Sequence, residues 1–201
     1  MGIKQYKLFP TPVLEYDNFI DNKECKELKE IILSNQHLLK DISLIKKGQS
    51  THNLDCFLTF IKKKHLKDKI IDLCKQYAKD CGYILRGEMS NSWFNVEKKD
   101  SNLKKHAHAL STLSVVLYIM VDKNSSNLIF YNPHSYVLRN TMSLRNTEYT
   151  YDYIEFKPVN GKLLLFPSWL VHGTKHNNTN NRIVLGCNVL WLLINILKEK
   201  Y

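Results

Sequence analysis

With 201 residues, 44% of them apolar and 24% charged, the chain can bury one substantial core and is too short for two ordinary domains, and its composition excludes disordered and fibrous classes. No apolar run reaches the roughly 18 residues a bilayer span needs, and Met1-Gly-Ile-Lys-Gln-Tyr-Lys7 lacks the apolar stretch of a secretory signal, so a cytoplasmic location is expected. The formal charge of +10 would suit phosphate neutralisation. The lysines are scattered, however, and accompany abundant Asn and Ile, so the charge reads as compositional and nucleic acid is not an expected partner.

Taken in chain order, Asp21-x-x-Glu24 resembles a capping box, and Ile20, Leu28, Ile31 and Ile32 follow at helical spacing, which predicts a helix over 22–35. Residues 45–60 read as a loop and then a short strand at Cys56–Phe60. A second helix over about 63–81 is marked by Leu66, Ile70, Leu73, Cys74 and Tyr77 with lysines between them. From position 83 the pattern turns to short strands: 83–88, 92–98, 112–122, 128–131, 149–158, 162–167 and 182–193. The expected class is mixed α/β, mainly β: a jelly-roll (double-stranded β-helix) core over 83–201, with a helix-rich segment 1–82 packed outside it as part of one domain. Residues 132–148 read as a long loop able to cover a pocket, and Lys175–Asn181 as a polar hairpin loop. The cysteines at 25, 56, 74, 81 and 187 form no Cys-x-x-Cys pair, and their odd number predicts reduced thiols.

The chemistry-bearing residues fall in two stretches. Residues i and i+2 of a strand share a face, so His106 and His108 can present two imidazoles to one ion. A third ligand, His172, follows the apolar strand Leu163–Phe166. Three ligands on one face of a metal leave open positions, as non-haem Fe(II) oxygenases require. Ten residues on, Arg182 opens a run whose alternation puts Arg182, Val184, Gly186 and Asn188 on one face. A guanidinium beside a Gly that leaves room suits a dicarboxylate. Asn95 shares a face with Trp93 and is a candidate cosubstrate contact, as is Tyr118, whose buried phenol needs a partner. Asn188 is placed around the same site. Trp93 and Trp169 read as core or pocket wall, while His134 and His176 read as loop histidines.

Leu8-Phe-Pro-Thr-Pro-Val13, Trp93-Phe-Asn95, His106-Ala-His-Ala-Leu-Ser-Thr-Leu-Ser114, Gly161-Lys-Leu-Leu-Leu-Phe-Pro-Ser-Trp-Leu-Val-His172 and Arg182-Ile-x-x-x-x-Asn188 together resemble the 2-oxoglutarate/Fe(II)-dependent oxygenases. The likeness is to a bacterial and phage group that carries His-x-His and is related to prolyl hydroxylases. It implies Fe(II) held by His106, His108 and His172, with 2-oxoglutarate as cosubstrate held through Arg182. The implied reaction converts 2-oxoglutarate and O2 to succinate and CO2 while hydroxylating a substrate, a peptide prolyl residue or a small molecule. His108 departs from the His-x-Asp/Glu pattern of the wider superfamily, which leaves the metal one unit more positive. Val184 replaces a frequent Ser or Thr, and Val115 and Leu117 replace the group's Gly and Tyr. The alternative reading is a cupin-like metal-binding module without turnover, since three His ligands suit Zn(II) equally.

Overall fold

The computed structural model describes residues 3–4, 9–82, 87–135, 145 and 147–191. Its elements in order are β1 (Leu14–Tyr16), α1 (Asn22–Ser34), a 3-10 turn (Gln36–Leu38), β2 (Lys40–Asp41), β3 (Ile45–Ser50), α2 (Phe57–Phe60), α3 (Lys64–Asp80) and β4 (Gly87–Leu103). Then come β5 (Leu113–Met120), β6 (Leu128–Tyr131), β7 (Tyr153–Phe156), β8 (Leu163–Pro167), β9 (His172–Thr174) and β10 (Arg182–Trp191).

Both long helices form where apolar periodicity predicts them. Asp21 caps α1 by accepting from Glu24 N at 2.8 Å, and α1 buries Cys25, Leu28 and Ile32. Helix α3 buries Leu66, Ile70, Cys74, Tyr77 and Ala78, while its lysines stay on the outer side. Each fully buried aliphatic side chain contributes about 1.5–3 kcal/mol of transfer free energy, so these helices are held by the sheet they cover rather than by propensity.

That sheet has seven strands in the order β1-β8-β5-β10-β4-β3-β2, and a smaller sheet runs β7-β6-β9. All named pairings are antiparallel. Strands from the first 82 residues therefore complete both edges of the large sheet. One apolar cluster lies between its outer face and the helices, including Val115, Leu117, Ile183, Leu185 and Cys187. The other fills the space between the two sheets with Tyr118, Leu128, Phe130, Leu164, Phe166, Leu170 and Val184. The jelly-roll expectation is met, and the site occupies the inner face of this sandwich.

Several local expectations are corrected. Residues 45–50 are strand, not loop, and 57–60 form a helical turn, not a strand; Phe57 and Leu58 anchor that turn in the core with 0% exposure. The two strands expected over 83–88 and 92–98 merge into β4, which pairs with β10 along its first part and β3 along its second. Strand β7 is shorter than the span 149–158. The expected strand start at 83–86, most of the expected covering loop (136–144, 146) and the end of the last strand (192–193) lie outside the described residues. All five cysteines are free, with Cys25, Cys74 and Cys187 buried. No described helix is long and apolar enough to cross a membrane.

Candidate metal centre and anion pocket

His106 and His108 do not belong to a regular strand. His106 forms an isolated antiparallel bridge with His172, exchanging both backbone hydrogen bonds at 3.0 and 2.9 Å. His108 N donates to Ser168 O at 2.9 Å. This extended connection keeps both imidazoles on one side, which is what the strand-parity argument requires. His172 likewise does not end the strand of Leu163–Phe166. It opens β9 in the smaller sheet, paired with Phe130, so the site bridges the two sheets.

The three imidazoles converge, with ligand nitrogens all within 4.8 Å of one another and His108 Nε2 3.3 Å from His172 Nε2. A metal–nitrogen bond of about 2.1 Å places adjacent donors roughly 3 Å apart, so small ring rotations suffice to close on an ion. Two tautomers are fixed by the backbone. His106 Nδ1 donates to Lys104 O at 2.9 Å, and His172 Nδ1 donates to Leu170 O at 2.8 Å, leaving each Nε2 lone pair for a metal.

Burial holds all three imidazoles in the neutral form that binds metal. His172, beside Phe166 and Phe130, is pushed down to about 3 by burial, with the charge of His106 acting in the same direction. His108 falls to about 4 through burial and then the proximity of His106 and His52. His106 is lowered too, chiefly by burial.

Behind the histidines lies a cavity of about 610 Å³. Its floor alternates as the sequence predicts: Trp93, Asn95 and Glu97 from β4 lie beside Gly186, Val184 and Arg182 from β10, opposed in register. Tyr118 of β5 pairs with Val184. Arg182 is 2% exposed and its Nε has no partner; Tyr118 OH and Asn95 Oδ1 are buried without partners as well. Burial raises the Tyr118 hydroxyl well above its ordinary range, so it stays a phenol that can donate. An unspent guanidinium N–H on the cavity wall, with an unspent buried phenol O–H close to Arg182, suits a carboxylate.

Some expected contacts fall elsewhere. Asn188 turns to the histidines: its Nδ2 donates to His108 Nδ1 at 3.1 Å, and its Oδ1 accepts from Ser114 Oγ at 2.9 Å, which lies 2.8 Å from Ser168 Oγ. The space above Gly186 is not left for a ligand, because Trp93 fills it; an added Cβ would meet the indole at 2.6 Å. Trp169 is 53% exposed rather than core. Val115 and Leu117 belong to the helix-side core; Leu117 does not line the cavity, whereas Val115 does. His134 and His176 stay outside the histidine cluster.

Sequence reading missed two residues. Glu97 is fully buried and ion-paired to Arg182; its parity with Trp93 and Asn95 was the signal available. His52, in the segment read as loop, packs edge-on against Trp93 at 4.9 Å.

A family model described as "Putative 2OG-Fe(II) oxygenase" matches residues 91–188, the span from the pocket strand β4 to Asn188. That match spans just under half of the chain and includes His106, His108, His172 and Arg182, so the chain is similar to the 2-oxoglutarate/Fe(II)-dependent oxygenases, and its class is that of a non-haem iron enzyme with 2-oxoglutarate as cosubstrate. Among solved structures, the fold is shared with HygX from Streptomyces hygroscopicus with nickel and 2-oxoglutarate bound, at TM-score 0.64 and 11% identity over 91% of this chain and 84% of that one. It is also shared with a Pseudomonas putida prolyl-4-hydroxylase, at 0.61 and 14% over 92% and 95%. A third is the viral collagen prolyl hydroxylase of Paramecium Bursaria Chlorella virus-1 in its 2OG complex, at 0.58 and 11% over 88% and 94%. No curated protein matches the chain in sequence. The family-model match does not favour the alternative of a cupin-like module without turnover.

Proposed function

We propose that the enzyme is a hydroxylase in which His106, His108 and His172 hold Fe(II) and Arg182, with Tyr118, receives the distal carboxylate of 2-oxoglutarate. The observation that carries this reading is the convergence, on one cavity, of three imidazoles with Arg182, whose Nε is unpartnered; the unpartnered Tyr118 OH is buried close to Arg182. Bound iron and 2-oxoglutarate would supply dioxygen activation, with oxidative decarboxylation to succinate and CO2 coupled to substrate oxidation. The chain's own residues bind and orient. His106 and His172 are locked in the ligating tautomer by backbone carbonyls. Phe130 and Phe166 keep water from His172, and Asn95 offers a buried carbonyl oxygen towards the cavity.

Two lysine–aromatic pairs lie on β6 and β7. Lys105 Nζ lies 3.8 Å above the Tyr131 ring, and Lys175 Nζ lies over Tyr153 at 5.3 Å. A peptide prolyl residue or a small molecule is the expected class, supported by the fold shared with prolyl hydroxylases and with HygX, which has been seen with hygromycin B bound. The test is succinate formation with Fe(II), ascorbate and 2-oxoglutarate, first without a primary substrate and then with proline-rich peptides. Metal-dependent succinate that vanishes in His172→Ala is expected; its absence from fully iron-loaded protein under every condition would reject the reading.

A further inference from the structure

We infer that Glu97 sets cosubstrate selectivity by competing with the distal carboxylate of 2-oxoglutarate for Arg182, an inference that rests on the pocket reading above. Glu97 and Arg182 face each other in register across β4 and β10. They are 0% and 2% exposed, and Arg182 Nη1 bonds Glu97 Oε1 directly. The other carboxylate oxygen accepts from Ser101 Oγ at 3.2 Å, and Ser101 is itself buried. Glu97 is therefore a built partner held from two sides, and it lines the same cavity as the histidines.

The guanidinium is not used up, because its Nε still lacks a partner. Its charge, however, is already met. A ligand carboxylate brought to the remaining edge gains hydrogen bonds but also approaches the Glu97 carboxylate where little water screens them. An unopposed Arg would favour a dicarboxylate strongly over a 2-oxo acid with an uncharged tail; with Glu97 in place the preference shrinks. Glu97 also places within the pocket the negative charge that position 108, being His, does not bring to the metal.

The test is calorimetric titration of Ni(II)-loaded protein with 2-oxoglutarate and with 2-oxopentanoate, which has the same carbon number and no distal carboxylate. Glu97→Gln keeps the shape and an oxygen for Ser101 while removing the charge. It should tighten 2-oxoglutarate by at least about tenfold and leave 2-oxopentanoate within about twofold. In wild type, which avoids any question of variant folding, the preference for 2-oxoglutarate should fall below about thirtyfold, the low end of what an unopposed buried charge pair gives. A larger preference overturns the inference, as does a Glu97→Gln variant that binds both acids as wild type does or binds 2-oxoglutarate more weakly. Those results leave the pocket reading intact. If metal-loaded wild type and variant both fail to bind either acid, the pocket reading falls and takes the inference with it.

Discussion

Gly186 and Trp93 sit opposite each other in the β10–β4 pairing, and the indole occupies the volume that any side chain at 186 would need. Trp93 in turn lies tilted against His108, ring centroids 5.7 Å apart. Glycine at 186 thus fixes the wall behind one of the three histidines proposed to hold the metal. Gly186→Ala should displace the indole, cost about 1–3 kcal/mol through overpacking and weaken metal binding. Thermal melting with and without Ni(II) checks this, and a variant with wild-type melting and wild-type metal affinity would refute it.

Removing His106 or His172 leaves two imidazoles, which compete poorly with water for a divalent ion. Either Ala variant should lose most metal affinity, while His108→Asp, which adds a carboxylate where a neutral ring stood, should retain it. Metal stoichiometry after dialysis reads the outcome. Full occupancy in His172→Ala would remove that residue from the site.

The Ser168, Ser114 and Asn188 chain ends on His108 in an arrangement that suits the metal-free state. Asn188 donates to Nδ1, which leaves the ring proton on Nε2, where it can be shared with His172 Nε2 at 3.3 Å. Metal binding through Nε2 needs the proton on Nδ1, so the Asn188 amide must present its oxygen instead; such an orientation is set by the hydrogen-bond network. Asn188→Asp, with an obligate acceptor, should hold or tighten metal binding, whereas Asn188→Leu should weaken it by about 10–100-fold. Equal metal affinity in both variants would show that the amide does not position His108.

Depressed imidazole pKa values make the metal-free protein acid-sensitive. His172 titrates at about 3 when folded and near its ordinary 6.5 when unfolded, so between those pH values the unfolded chain binds the extra proton. Stability is therefore complete above pH 6.5 and declines as pH falls, by about 2 kcal/mol at pH 5 from His172. His108, at about 4, acts with the same sign. Urea denaturation of metal-free protein at pH 7 and pH 5 measures the difference. A His172→Gln variant should show a smaller loss, and equal stability of the wild type at the two pH values would contradict the assignment.

How much of this was legible in the sequence depended on whether a residue's role followed from periodicity or from long-range pairing. Helices α1 and α3 and the inner face of β10 were readable because spacing of 3.6 or 2 residues survives in the finished fold. The short strand β3 was not, since Lys46-Lys-Gly-Gln carries no apolar alternation and only pairing with β4 and β2 makes it a strand. Arg182 is legible through its charge and its distance from His172, whereas Glu97, followed by Lys98 and Lys99, is not singled out by the sequence. Parity with Trp93 and Asn95 gives its face, but its pairing partner, Arg182, lies 85 positions away, which no local pattern records.

That register also determines what removing Arg182 would do. Arg182→Met leaves the Glu97 carboxylate buried with only Ser101 Oγ to meet it, and breaking one partner of a buried pair costs about 3–5 kcal/mol. Loss of 2-oxoglutarate binding in that variant would thus mix a lost contact with a damaged pocket. Replacing both partners, Arg182→Met with Glu97→Met, removes the stranded charge and should recover most of the lost stability, because an apolar pair of similar volume is often neutral or better in such a site. The double variant should still bind metal and should bind 2-oxoglutarate no better than 2-oxopentanoate. Chemical denaturation of the two single variants and the double gives the coupling directly. Strictly additive losses would mean that the two side chains do not depend on each other and that Glu97 is buried for another reason.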